Sequence, residues 1–111
     1  MIEKVLIDYL SVELNLPVYA LRPDNAPDTY VVIDKTGGNK TNRVETATVA
    51  IQSYAPTMLG AIKLNEDVKD AMESITALPK IGGVSLITDQ NYPDLTRKVP
   101  RYQSIFNITY Y

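Results

Sequence analysis

Apolar residues recur with two different periods along this chain, and the switching between them is the strongest constraint on its fold. Over residues 2–14, Ile2, Val5, Leu6, Tyr9 and Leu10 fall at i, i+3, i+4, i+7 and i+8. That is one apolar stripe of an amphipathic helix, with Glu3, Lys4, Asp8 and Ser11 off the stripe. Asn15 and Pro17 supply the stop. A second helical pattern covers Met58–Ile75, with Met58, Ala61, Ile62, Val68, Met72 and Ile75 on one side. Lys63, Glu66, Lys69, Asp70 and Glu73 sit mostly on the other. Thr57 is placed to cap its first turn, and Leu78-Pro-Lys-Ile-Gly-Gly ends it.

Between and after the helices the period drops to two. Val44–Tyr54 is the clearest strand, with Ala47, Val49 and Ile51 alternating with Thr46, Thr48, Ala50 and Gln52. Arg101–Tyr111 repeats the pattern, with Tyr102, Phe106, Ile108 and Tyr110 on one parity and Ile105 on the other. Its pairing is expected to hold the end of the chain. Tyr30-Val-Val-Ile-Asp34 and Val84–Thr88 are shorter β-rich runs, and Val18–Leu21 is a brief extended piece. Pro23 and Pro27 make 22–28 a turn-rich loop. Lys35–Arg43 reads as an exposed polar loop joining two strands of a long hairpin, and Asp89–Asp94 as another loop. The order α-β-β-β-α-β-β predicts an α+β fold. Its sheet has about four to five strands, mainly antiparallel, and both helices pack on one face to bury both stripes. A length of 111 residues fits one domain, 1–111.

Composition narrows the chemistry. There are no cysteines and no histidines. Thiolate nucleophiles, disulfides, Cys- or His-type metal sites and Ser-His-Asp catalysis are thereby excluded. A net charge of −2 gives a weak overall field, which argues against recruitment to DNA or acidic lipid by bulk charge. The first residues, Met-Ile-Glu-Lys, carry no basic lead into an apolar stretch, so no signal peptide is expected. No apolar run approaches the roughly 20 residues needed to cross a bilayer. The expectation is a leaderless protein made in the cytoplasm, with no membrane partner.

The candidate contact residues are cations and tyrosines. Gly37-Gly38-Asn39-Lys40-Thr41 lacks the spacing of a phosphate-binding loop and joins two strands, so a hairpin tip is the better account. Its cations Lys35, Lys40 and Arg43 are candidates for partner contact. Arg97, Lys98 and Arg101 form a second basic cluster, read either as a solvated loop or as a positive lining facing DNA or an acidic neighbour. Asp24, Asp28, Asp34, Asp89 and Asp94 lie where turn chemistry accounts for them, and no calcium-loop spacing is present. No cofactor, metal site or catalytic residue is expected, and the chain reads as a non-enzyme. Eight tyrosines against one phenylalanine suit contact surfaces. Tyr110 and Tyr111, on a terminal strand read as a sheet edge, are the leading interface candidates.

Taken in order, Ala26-Pro-Asp-Thr-Tyr-Val-Val-Ile33, Glu45-Thr-Ala-Thr-Val-Ala-Ile-Gln-Ser-Tyr54 and Arg101-Tyr-Gln-Ser-Ile-Phe-Asn-Ile-Thr-Tyr110 carry a resemblance over nearly the whole chain. It resembles the tail-completion or tail-terminator (minor tail protein U-like) family of long-tailed bacteriophages. The resemblance implies an α+β subunit that forms a hexameric ring with its own copies at the tail–head junction of a virion. The ring caps the tail-tube protein, ends its polymerisation and faces a head-completion or connector protein. DNA passes through such a ring without sequence-specific binding, so Arg97, Lys98, Arg101 or the 35–43 loop would face the lumen. No active site is carried over.

On that reading the mechanism is geometric. A closed ring of heterologous contacts has a fixed subunit number and does not continue as a filament. The same features also suit a neck, head-closure or tail-tube subunit, or a ferredoxin-like domain that binds a small ligand.

Overall fold

The computed structural model describes residues 1–111. Its elements run α1 (Ile2–Leu14), β1 (Val18–Tyr19), β2 (Tyr30–Thr41), β3 (Val44–Tyr54), α2 (Met58–Glu73), a 3-10 turn (Ile75–Ala77), β4 (Ile81–Asn91) and β5 (Arg101–Tyr110). The five strands form one sheet in the order β1-β2-β3-β5-β4. Only the short β1–β2 pairing is parallel, and every other pairing is antiparallel. The fold is α+β, with a mostly antiparallel sheet and both helices on one face.

Each helix is closed by local chemistry. Asn15 adopts the left-handed conformation, φ 52° and ψ 47°, that ends α1, and Pro17 follows. At the start of α2 the Gly60 backbone N–H donates to Thr57 Oγ at 3.0 Å. Ile2, Leu6 and Leu10 of α1 are buried, whereas Val5 is 37% exposed. On α2 the buried line is Ala61, Leu64, Asn65, Val68 and Met72, and it continues into Ile75. Ile62, expected on that line, lies half out of it at 36% exposure. The helix is rotated to bring Leu64 and Asn65 onto the sheet instead.

The core lies between the helices and one sheet face. It joins the α1 and α2 residues to Val31 and Ile33 of β2, Ala47, Val49 and Ile51 of β3, Ile81 of β4, and Phe106 and Ile108 of β5. A smaller cluster of Tyr30, Val32 and Tyr54 sits on the other face, covered by Ala26 and Val99 from two loops.

Two strands are longer than the sequence pattern predicts. Residues 35–41 belong to β2 and are not a loop. They pair with β3 up to Thr41↔Val44, with a register shift between Lys35 and Gly37. All residues from Asp34 to Arg43 are exposed, so this ribbon has no apolar face and shows no alternation for a sequence reading to detect. β4 likewise runs on through Asp89-Gln90-Asn91, held by its ladder to β5. Finally, β5 is an interior strand between β3 and β4, so Tyr110 is not on a sheet edge.

Candidate functional sites

The β2–β3 ribbon carries the first group of candidate residues. Its connection is only two residues long, and both Asn42 (φ 51°) and Arg43 (φ 68°) lie in the left-handed region. Paired positive φ values are what a tight hairpin needs to match strand twist. Asn tolerates this conformation, whereas Arg is strained there. Arg43→Gly is therefore expected to stabilise the protein by about 0.5–1 kcal/mol, visible as a raised thermal midpoint. An unchanged or lower midpoint would show that the Arg43 side chain contributes to the fold.

Lys35 pairs with Val49, and Lys40 with Glu45. Val49 is a core residue, so by register both lysines project on the helix side of the sheet. Gly38 lets the Lys35 side chain lie close: a Cβ at that position would come within 3.0 Å of Lys35 Cε. Lys35, Lys40 and Arg43 enter none of the five ion pairs of the molecule.

The second basic cluster lies at the opposite end of the sheet, because β3 pairs Tyr54 with Arg101 and Glu45 with Tyr110. Lys40 and Arg43 at the ribbon tip are separated from that cluster by about 30 Å of strand and Lys35, level with Val49, by roughly half that, and the fold does not bring the two groups together. Arg101 is committed within the molecule. Its guanidinium lies over the Tyr92 ring at 4.2 Å and 5.5 Å from the Tyr54 ring centre. It also donates to the Tyr92 carbonyl at 2.7 Å and to Tyr54 Oη at 2.9 Å. Tyr54 stacks on Tyr30 at 4.4 Å, Tyr19 meets Tyr30 edge-on at 6.0 Å, and Arg22 donates to Tyr30 Oη at 2.9 Å. Burial pushes the Tyr30 hydroxyl above its ordinary pKa. Four of the eight tyrosines thus form a clasp that fastens the two loops to the sheet.

Arg97 closes the turn beside that clasp. It donates to Asp94 through Nη1 at 2.9 Å and through its backbone N–H at 3.1 Å. Burial alone would raise the Asp94 pKa, but the Arg97 hydrogen bonds outweigh it and hold the carboxyl below the usual range. Lys98, at φ 54°, makes no ion pair and is the unengaged cation of the three. At the ribbon end, Tyr110 packs half-buried against the main core. Tyr111 is 63% exposed, donates its backbone N–H to the Lys80 carbonyl at 3.0 Å, and rests its ring on Gly82.

A third region was not singled out by sequence. Where α2 meets β4 and β5, the buried Ser104 hydroxyl donates to the Asn65 side-chain carbonyl. The Asn65 amide in turn donates to Asp89 at 3.3 Å, and Lys69 donates to the same carboxylate at 2.7 Å. The hydrogen bond from Lys69 lowers the Asp89 pKa, and the bonds to Asp89 and Glu66 raise that of Lys69. The available signal was a lone Asn at i+4 from Ala61 in an otherwise apolar helical line.

Beside this network α2 leaves part of β4 uncovered. The result is a groove of about 460 Å³ with Met72, Val84, Leu86 and Phe106 as its apolar lining and Glu66, Lys69, Asp70 and Glu73 along α2. Lys69 is already paired with Glu66 and Asp89, whereas Asp70 and Glu73 have no ion-pair partner. The adjoining edge of β4 exposes Leu86 (46%) and Ile87 (52%). No helix is long and apolar enough to cross a membrane.

No protein-family model and no curated protein sequence matches the chain. Among solved structures, its fold is similar to that of a chain from the virion of a native gene transfer agent (GTA) particle. The TM-score is 0.54 at 14% sequence identity, over 91% of this chain and 83% of that one. Identity at that level makes the likeness one of fold.

Proposed function

We propose that this chain is a structural subunit of a phage or prophage virion, and that it caps the tail tube as a ring of its own copies, most simply a hexamer. The observation that carries the reading is the fold shared over 91% of the chain with a GTA virion component. The ordered sequence features that resemble the tail-terminator family support it further. The surface chemistry also fits a part that assembles. Unengaged cations stand at both ends of the sheet, at Lys40 and Arg43 and at Lys98, with Lys35 midway along the β2–β3 ladder. The chain has no cysteine thiolate nucleophile and no histidine proton shuttle, and we read it as a non-enzyme.

The proposed action is geometric. One ring face docks on the last disc of tube protein, and the other offers no copy of the tube surface, so growth ends. The opposite face meets the head-completion or connector protein. Of the unengaged cations, Arg43 and Lys98 face the lumen and screen the backbone of DNA in transit without reading its sequence.

The test is tube growth in vitro. The particle's own tube protein is polymerised with and without this chain, and products are counted by electron microscopy. Capping predicts tubes of limited length, each carrying one ring at an end. Open-ended polymers formed by this chain alone would identify a tube subunit instead. Tubes of unchanged length with no bound ring would overturn the proposal.

A further inference from the structure

The sheet has two unequal free edges. β1 covers β2 only at Val31 and Val32, so the outer edge of β2 is open from Ile33 to Thr41. β4 forms the other border and is unpaired along its outer side for its full 11 residues. Soluble proteins ordinarily defend such an edge with lysine, proline or a covering element. β4, Ile-Gly-Gly-Val-Ser-Leu-Ile-Thr-Asp-Gln-Asn, has neither lysine nor proline and exposes two large aliphatic side chains.

We infer that the free edge of β2 in one copy pairs with β4 of the next copy, with Lys35 and Lys40 seated against Asp70 and Glu73 at the acidic wall of the α2–β4 groove. Three observations converge on this contact. First, the two edges are similar in length, Ile33–Thr41 of β2 against Ile81–Asn91 of β4. Second, their directions agree: successive antiparallel pairings from β2 through β3 and β5 leave β4 running opposite to β2. A rotation about an axis along the strands preserves both directions, so the neighbour's β2 meets β4 as an antiparallel partner. Third, the charges are complementary and land on the same side. Lys35 and Lys40 project on the helix side by register, and Val84 and Leu86 pair with the core residues Ile108 and Phe106, so the groove opens on that side too. Both lysines and both carboxylates are without ion-pair partners inside one copy.

Strand addition of this kind takes its affinity from main-chain hydrogen bonds and its register from side chains. The contact is heterologous, because β2 and β4 are different surfaces. Repeated around an axis it closes into a ring with one continuous sheet and no free edge. The inference rests on the ring reading for what the contact builds, but the contact itself is tested separately.

The test is charge exchange, read as absolute mass by light scattering across a concentration series. The double variant Lys35→Glu/Lys40→Glu is expected to fall from the ring mass to the 12.4 kDa of one chain. Asp70→Lys/Glu73→Lys is expected to do the same. A chain carrying all four changes is expected to regain the ring mass, since the pairs are restored with signs exchanged. Circular dichroism and thermal unfolding establish that each variant is folded. Reversed variants that assemble like the parent, a fourfold variant that stays monomeric although folded, or a parent chain that is monomeric throughout would each overturn the contact. A parent chain that forms charge-dependent rings yet leaves tube growth unchanged would uphold the contact and remove the capping function.

Discussion

Phe106→Ala is expected to lower the unfolding free energy by about 3–5 kcal/mol, measured by denaturant unfolding. Phe106 is the one phenylalanine of the chain and is 3% exposed. It stands on the interior strand β5, opposite Val49 of β3 on one side and Leu86 of β4 on the other. Truncation removes a large apolar group from the middle of the ladder. The neighbours are fixed by backbone pairing on both flanks, so the void cannot close by a strand moving inwards. Ile105, one residue earlier, projects to the opposite face and is only partly buried, so Ile105→Ala should cost clearly less. Equal costs for the two would mean that the face assignment of β5 is wrong. The groove floor would then have to be redrawn as well, because Phe106 belongs to it.

Leu6→Ala is expected to cost about 2–5 kcal/mol, whereas Val5→Ala should stay within roughly 0.5 kcal/mol of the parent. Both residues lie on the apolar stripe that periodicity assigns to the first helix. The fold separates them: Leu6 is fully buried with Ile2 and Leu10 against β2, and Val5 is 37% exposed. Ile7 and Leu14, absent from the predicted stripe, pack at the margin of the core instead. α1 is also tied to α2 by the Tyr9 hydroxyl, which donates to the Ala71 carbonyl at 2.6 Å. That contact fixes the rotation of the helix about its axis. Comparable losses for Val5→Ala and Leu6→Ala would contradict this rotation.

The charged candidates divide in the same way. Arg97, Lys98 and Arg101 are neighbours in sequence and look alike as a basic cluster. In the fold Arg101 is sandwiched with Tyr92 and Tyr54, Arg97 is bound to Asp94, and only Lys98 is left unengaged. Linear spacing carries no information about that difference, since the partners of Arg101 include Tyr54, on another strand. The ribbon cations are the opposite case. The sequence around Lys35, Lys40 and Arg43 reads as an exposed polar loop, yet these cations ride on a paired strand that ends in a two-residue turn. Their exposure was legible, and their order was not.

What this sequence determines alone is whatever depends on near neighbours. The two helical periods, the limits of β3 at Val44 and Tyr54, the Thr57 cap and the α+β order all follow from spacings of a few residues, where side-chain direction is set by backbone period. The absence of cysteine and histidine is equally local and bounds the chemistry. The tertiary structure alone decides the strand order, because β3 can pair with β4 or β5 on equal local terms. Placing β5 in the middle removes Tyr110 from the edge and leaves β4 there, bare, beside the acidic wall of α2. Solvated strands such as residues 35–41 are decided by pairing too. With no face to bury they have no period to display, and the ladder supplied by β3 is what holds them extended.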